Sequence, residues 1–210
     1  LALQNGVILR GHSIGAPRET LGELVFHTGM TGYQEILSDP SYAGQLVLLT
    51  CPEIGNVGMN LVDMESGRLH ANGLLVRACN EPSNWRAEQS LSAMLREGDL
   101  PALAGIDTRA LALLLRGWGT QRAFLSATGA TPPETAVRMA REWEGLDGQD
   151  YARRVSCRAE HDWDVEGRRS CSWGLGSTLP AARRHVVVYD FGLKWNIARN
   201  LRQQGLRVTV

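Results

Sequence analysis

Lysine is almost absent from this chain, with Lys194 the single lysine beside 21 arginines, a bias that says more about genome composition than about chemistry. Net charge is absent as well. The 22 basic and 22 acidic residues cancel, which argues against a protein that works by neutralising the phosphates of nucleic acid. Long apolar runs are missing: the strongest stretches, residues 45–51 and 110–115, fall far short of the roughly 20 residues that cross a membrane. Cysteine is sparse, and Cys51, Cys79, Cys157 and Cys171 are scattered without a CxxC pair or a histidine at zinc spacing. They read as isolated thiols in a reducing compartment, with no metal site. No basic segment leads into an apolar one, so no secretory signal is visible and the expected location is cytoplasmic.

What is present suffices for a core: 43% of the 210 residues are apolar and 21% charged, close to soluble globular usage. That length lies between one large domain and two small ones. Residues 1–10 place Asn5-Gly6 between apolar runs, a hairpin signal. Leu24, Val25 and Phe26 mark a strand over residues 22–28, and residues 45–51 suit a strand buried on both faces. Between them Thr31 and Gln34 have capping-box spacing, starting a helix that Asp39-Pro40 must stop. Residues 52–60 read as loop and 72–78 as strand.

Helical patterns follow. Leu91, Met94 and Leu95 form one face closed by Gly98; Asp107 caps a helix that turns Leu111, Leu114 and Leu115 inward and ends at Gly117. A third helix starts at Thr131, with Pro132 at its first position and Glu134 at its third, and runs to Gly145. From 153 to 184 no period survives, so this stretch reads as a linker with a few anchoring aromatics. Residues 185–191 then predict a strand, 192–204 a helix with Gly205 after it, and 206–210 another strand. This is the β-α-β opening of a doubly wound sheet. One such unit cannot cover both faces of a sheet, so further residues are expected after 210 in the intact protein.

Few residues are candidates for chemistry. His12, His27, His70, His161 and His185 include no pair at helical spacing and none beside a nucleophile, so each reads as surface or satisfied core imidazole. Asp190 lies at the end of a strand before a helix, where α/β folds place ligands; without a glycine-rich fingerprint it reads as a helix N-cap. Residues 30–42 concentrate hydroxyl, amide and carboxylate groups that must be paired or face a ligand. Ser41, just after the Asp39-Pro40 turn, has two open roles: hydrogen-bonding a polar ligand, or stabilising its own turn.

Several longer motifs carry a resemblance. The runs Gly22-Glu23-Leu24-Val25-Phe26, Met30-Thr31-Gly32-Tyr33-Gln34-Glu35-Ile36-Leu37, Asp39-Pro40-Ser41-Tyr42, Ile54-Gly55-Asn56-Val57-Gly58, Gly105-Ile106-Asp107-Thr108-Arg109 and Tyr189-Asp190-Phe191-Gly192-Leu193-Lys194 follow one another in order. Together they resemble the small, glutamine-hydrolysing subunit of carbamoyl phosphate synthetases over essentially the whole chain. The resemblance implies an α/β protein: a layered β/β/α domain special to this subunit over residues 1–152, a linker over 153–184, and over 185–210 the incomplete start of a Rossmann-like class I glutamine amidotransferase domain.

It further implies that glutamine is hydrolysed in this subunit and that ammonia passes to a large subunit, which uses bicarbonate, ATP and Mg to make carbamoyl phosphate for arginine and pyrimidine synthesis. No cofactor is implied for this chain. The family nucleophile is a Cys on a strand-to-helix elbow, activated by a His paired with a Glu; all three are expected after position 210, so no catalytic residue is assigned here. Ser41 matches the serine that contacts bound glutamine. The expected partners are the large subunit and L-glutamine, with no nucleic acid and no membrane. The competing expectation is a non-catalytic interaction module that docks on the large subunit, since the Cys-His-Glu triad is absent from this chain.

Overall fold

Leu46, Val47, Leu48 and Leu49 are each at most 1% exposed. Successive strand side chains point to opposite faces, so such a run needs cover on both sides of its sheet. The computed structural model, which describes residues 1–172 and 178–210, supplies that cover. Its strands are β1 (Ala2–Leu3), β2 (His12–Ser13), β3 (Glu19–His27), β4 (Gln45–Leu49), β5 (Glu53–Ile54), β6 (Gly73–Leu75), β7 (Ala78–Cys79), β8 (Ala102–Ala104), β9 (Gln121–Ser126), β10 (Arg184–Val187) and β11 (Leu206–Thr209). Its helices are α1 (Tyr33–Ser38), α2 (Leu91–Glu97), α3 (Thr108–Trp118), α4 (Pro133–Glu142), α5 (Tyr151–Val155), α6 (Arg168–Ser172) and α7 (Trp195–Gln203), with a 3-10 turn at Pro40–Tyr42.

Seven strands form one mixed sheet in the order β1-β9-β3-β4-β6-β8-β2. Its centre, β3-β4-β6-β8, is parallel, and antiparallel β9 and β2 flank it. Leu24, Leu46, Leu48 and Leu75 face α3, which inserts Leu111 and Leu115. On the opposite face Val47, Leu49 and Leu74 meet Ile36 and Leu37 of α1 and Leu91 and Leu95 of α2. Phe124 receives Ala136, Val137 and Ala140 of α4. The fold is therefore α/β, with helices on both faces of a mixed sheet.

Several local expectations are corrected by contacts distant in sequence. Gly32, not Thr31, is the N-cap of α1, at φ +83° and without a side-chain cap; Gln34 turns away because its amide pairs with the backbone of Asn60. Pro132, not Thr131, precedes α4, since the Thr131 hydroxyl donates to Glu19 Oε2 at 2.6 Å. In the opening hairpin only Gly6 takes positive φ, at +96°, and its N–H closes the turn on Leu3 O at 2.9 Å. α3 runs through Gly117 to a C-cap at Gly119, and α4 stops before Trp143. The 52–60 loop contains β5, which pairs with β7. β8 and β9, which no periodicity announced, complete the sheet.

The stretch expected as linker, 153–184, includes residues 173–177, which lie outside the described residues. Elsewhere it is not patternless: α5 ends in it, α6 forms in it, and Trp163 is buried. Residues 161–163 run beside β11, with the Trp163 N–H on Val208 O at 2.8 Å and reciprocal bonds between His161 and Val210. β10 and β11 are parallel, His185 opposite Arg207, and α7 joins them. Gly205 takes φ +76° just after α7, as its position predicts.

Candidate functional site

The polar run from Tyr33 to Ser41 is mostly paired within the protein. The Tyr33 hydroxyl donates to Gly58 O at 2.8 Å, and burial pushes its pKa up to about 12. Ser38 Oγ donates to Gln34 O at 2.8 Å and accepts from Glu65 N–H at 2.9 Å, while Ser66 Oγ donates to Ser38 O at 2.7 Å. With the Gln34–Asn60 pairing, these bonds fasten the loop of residues 58–66 to α1.

That loop in turn docks α7. Glu65 O accepts the Trp195 N–H at 2.8 Å, and Glu65 Oε2 accepts the Asn196 N–H at 2.9 Å. One residue from the large sheet unit thus caps two of the orphan donors at the start of α7, where a negative charge is also favoured by the helix dipole. Arg199, 1% exposed, donates from Nη2 to Val62 O at 2.8 Å. Burial lowers its pKa, and the Glu65 carboxylate is the strongest charge opposing that shift.

The second tie is the Ser41 turn itself. Asp39 Oδ1 accepts the Ser41 N–H at 2.9 Å, and Asp39 Oδ2 pairs with Lys194 Nζ at 2.7 Å. Its hydrogen bond to Asp39 raises the Lys194 pKa. Asp190 is not the N-cap expected from sequence, because α7 starts only after Lys194. It folds the turn before α7 instead, accepting N–H groups from Cys157 at 2.6 Å, Gly192 at 2.8 Å and Leu193 at 2.7 Å. Burial pushes the Asp190 carboxyl up, but the N–H groups of Leu193, Gly192 and Cys157 together hold it below its ordinary value.

Between these ties lies a cavity of about 420 Å3 whose wall includes Pro40, Arg68, Cys157, Asp190, Leu193 and Trp195. Pro40, not Ser41, contributes to that wall. Ser41 is exposed beside it, and its hydroxyl makes no hydrogen bond among the described residues. Such a group can take a hydrogen bond from, or give one to, a ligand without breaking an internal contact. At exposed Cys157 desolvation first, then the Asp190 charge, push the thiol pKa up. Burial does the same to Cys79. All four cysteines are free, and among the described residues no cluster of His, Cys, Asp and Glu could hold a metal. None of the helices is long and apolar enough to cross a membrane, again among the described residues.

Sequence reasoning singled out Ser41 and Asp190, and the structure brings their turns together through Asp39 and Lys194. It missed Glu65, Asn60 and Arg199, whose roles come from partners far along the chain; no spacing rule could have found them.

Comparison with known proteins adds a family. Residues 1–125 match the family model described as carbamoyl-phosphate synthase small chain, CPSase domain. The whole chain is 45% identical over 219 residues to the carbamoyl phosphate synthase small chain of Nitratidesulfovibrio vulgaris, covering 56% of that protein. It is 46% identical over 214 residues to the protein of the same name from Ralstonia nicotianae, covering 55% of it. The Acinetobacter baylyi counterpart is 48% identical over 218 residues, with 56% covered. The chain thus spans little more than half the length of these relatives. With a family model matched over more than half of its residues, the chain belongs to the carbamoyl-phosphate synthase small chain family.

Proposed function

We propose that this chain contributes to the glutamine-hydrolysing small subunit of a carbamoyl phosphate synthetase, with Ser41 contacting L-glutamine. Residues 1–152 form the domain special to that subunit, 153–184 connect it, and 185–210 open a class I glutamine amidotransferase domain of Rossmann-like type. The subunit hydrolyses glutamine and passes ammonia to a large subunit, its partner, which uses ATP, Mg and bicarbonate; arginine and pyrimidine synthesis in the cytoplasm take the product. The chain itself holds no cofactor and supplies no catalytic residue; the Cys-His-Glu triad belongs to the part of the family protein after position 210.

The observation that carries this reading is the Asp39–Lys194 pair, 2.7 Å long, which holds the Ser41 turn against the turn of residues 190–194. The parallel β10-α7-β11 unit supports it too, since ligands of such sheets bind beyond the carboxyl ends of the strands, and Asp190 lies just past β10. A serine hydroxyl with no hydrogen-bond partner among the described residues, next to that edge, is suited to a polar substrate such as glutamine.

The test is Ser41→Ala in the complete small chain assembled with its large partner. The KM for glutamine should rise by about fivefold, the worth of one hydrogen bond of about 1 kcal/mol, while ammonia-dependent synthesis stays unchanged. An unaltered KM for glutamine refutes the assignment. The 210-residue chain alone should release no ammonia from glutamine, and measurable release would refute the placement of the triad.

A further inference from the structure

Two adjoining cavities, of about 290 and 420 Å3, share a wall made by Arg68, His70, Arg154 and Val155. Arg18 also lines the smaller one, so three guanidinium groups surround it against a single carboxylate, Asp99. That carboxylate is already engaged by Arg18, at 2.5 Å. Arg68 and Arg154 have no carboxylate at ion-pair distance among the described residues. They are nevertheless held together. Arg68 Nη2 donates to the backbone O of Arg154 at 3.3 Å, and the Arg154 guanidinium stacks over the Tyr151 ring, 4.6 Å from its centroid.

Gathering like charges is unfavourable unless an opposite charge joins them. In a chain whose formal charges cancel, this concentration is local rather than a general excess of base. His70, on the shared wall, is brought down to about 4 by burial first and the Arg68 charge second, against the opposing charges of Asp39 and Asp190. It is therefore neutral at physiological pH and offers a hydrogen-bonding group without adding charge.

We propose that the paired cavities bind a small oxyanion carrying at least two negative charges, gripped by Arg68 and Arg154. Guanidinium forks match phosphoryl and carboxylate oxygens alike, and that shared chemistry defines the ligand class. The volumes suit a small molecule. A bound anion would bridge the loop that carries Arg68 to α5, and so clasp the large sheet unit to the segment that leads toward β10. The larger cavity is the one beside Ser41, and Asp190 also lines it; the grip comes from Arg68 and Arg154, so loss of anion binding in their variants and a changed glutamine KM in Ser41→Ala are separate readouts.

The experiment is calorimetric titration of the full chain at low ionic strength with pyrophosphate and, in parallel, with citrate. Arg68→Gln and Arg154→Gln alter exposed side chains, and circular dichroism verifies that the fold is kept. Arg116→Gln, on α3, removes the same charge elsewhere. Saturable binding of at least one anion is expected, weakened about tenfold or more by either cavity variant, the worth of one charge-assisted hydrogen bond, and unaffected by Arg116→Gln. Binding of pyrophosphate alone assigns a phosphorylated ligand, of citrate alone a polycarboxylate, and of both a site that selects charge. Absence of saturable binding for both anions, or equal weakening by Arg116→Gln, overturns the proposal.

Discussion

Removing the Glu65 side chain should loosen α7 far more than the rest of the molecule. Glu65→Ala deletes the acceptor of the Asn196 N–H, 2.9 Å away, and the carboxylate that acts most strongly on buried Arg199. It leaves the backbone bond from Trp195 N–H to Glu65 O intact. A hydrogen bond to a charged group is worth about 1.5–3 kcal/mol, and a negative charge at a helix start about 0.3–1 kcal/mol. Because Glu65 is only 8% exposed, solvent replaces little of either, and the sum is about 2–4 kcal/mol. Glu65→Gln keeps an acceptor oxygen and loses the charge, so about 1–2 kcal/mol is expected there. Native-state hydrogen exchange reads the effect directly. Amides of residues 199–203 should lose protection by those amounts, while β4 amides change less, because α7 opens as a local unit. If α7 exchange in Glu65→Ala stays within about 0.5 kcal/mol of the parent chain, the size of a neutral surface substitution, Glu65 does not dock α7.

Stability should also fall with acid through Glu19. Hydrogen bonds from Ser126, Thr131 and Thr128 hold its carboxyl at about 2, from an ordinary 4.5. A depressed carboxylate stabilises the fold fully above pH 4.5 and loses that contribution as pH falls toward 2. Solvent screening at this partly exposed site limits it to about 1–2 kcal/mol. Urea titrations of the parent and Glu19→Gln should therefore differ by that amount at pH 7 and converge only as pH falls to about 2, the folded-state value; a difference that is already gone near pH 4.5, or that grows in acid, contradicts the assignment. Gly44→Ala should destabilise by about 2 kcal/mol or more, because Gly44 sits at φ +84° and a Cβ there would lie 2.6 Å from Tyr151; an unchanged denaturation midpoint would refute this. Leu48→Ala, at the sheet centre, should cost about 2–5 kcal/mol in the same assay, and a loss below about 1 kcal/mol would show that α3 does not cover that face of the sheet.

Elements whose signals are local can be read from neighbouring residues alone. Residues 45–51 read as a doubly buried strand because the four consecutive apolar side chains from Leu46 leave no polar face, and the strand forms over Gln45–Leu49. Asp107 caps α3 through Ala110 N–H at 2.9 Å, three residues on, as the spacing requires. The β10-α7-β11 unit was legible because apolar strand residues, a one-faced helix and Gly205 occur within 26 residues, and the Ser41 turn because Asp-Pro ends a helix wherever it occurs. Where polar groups find partners depends instead on the folded arrangement. Gln34 forsakes its expected cap for Asn60, Thr131 binds Glu19, and Glu65 caps a helix 130 residues later. β9 is short and polar at both ends, so it shows as a strand only once β1 and β3 pair with it. In each case a hydrogen bond must be satisfied within the fold as a whole, and the choice among many possible partners depends on which segments the packed sheet brings within 3 Å. Spacing along the chain carries the first kind of information and not the second.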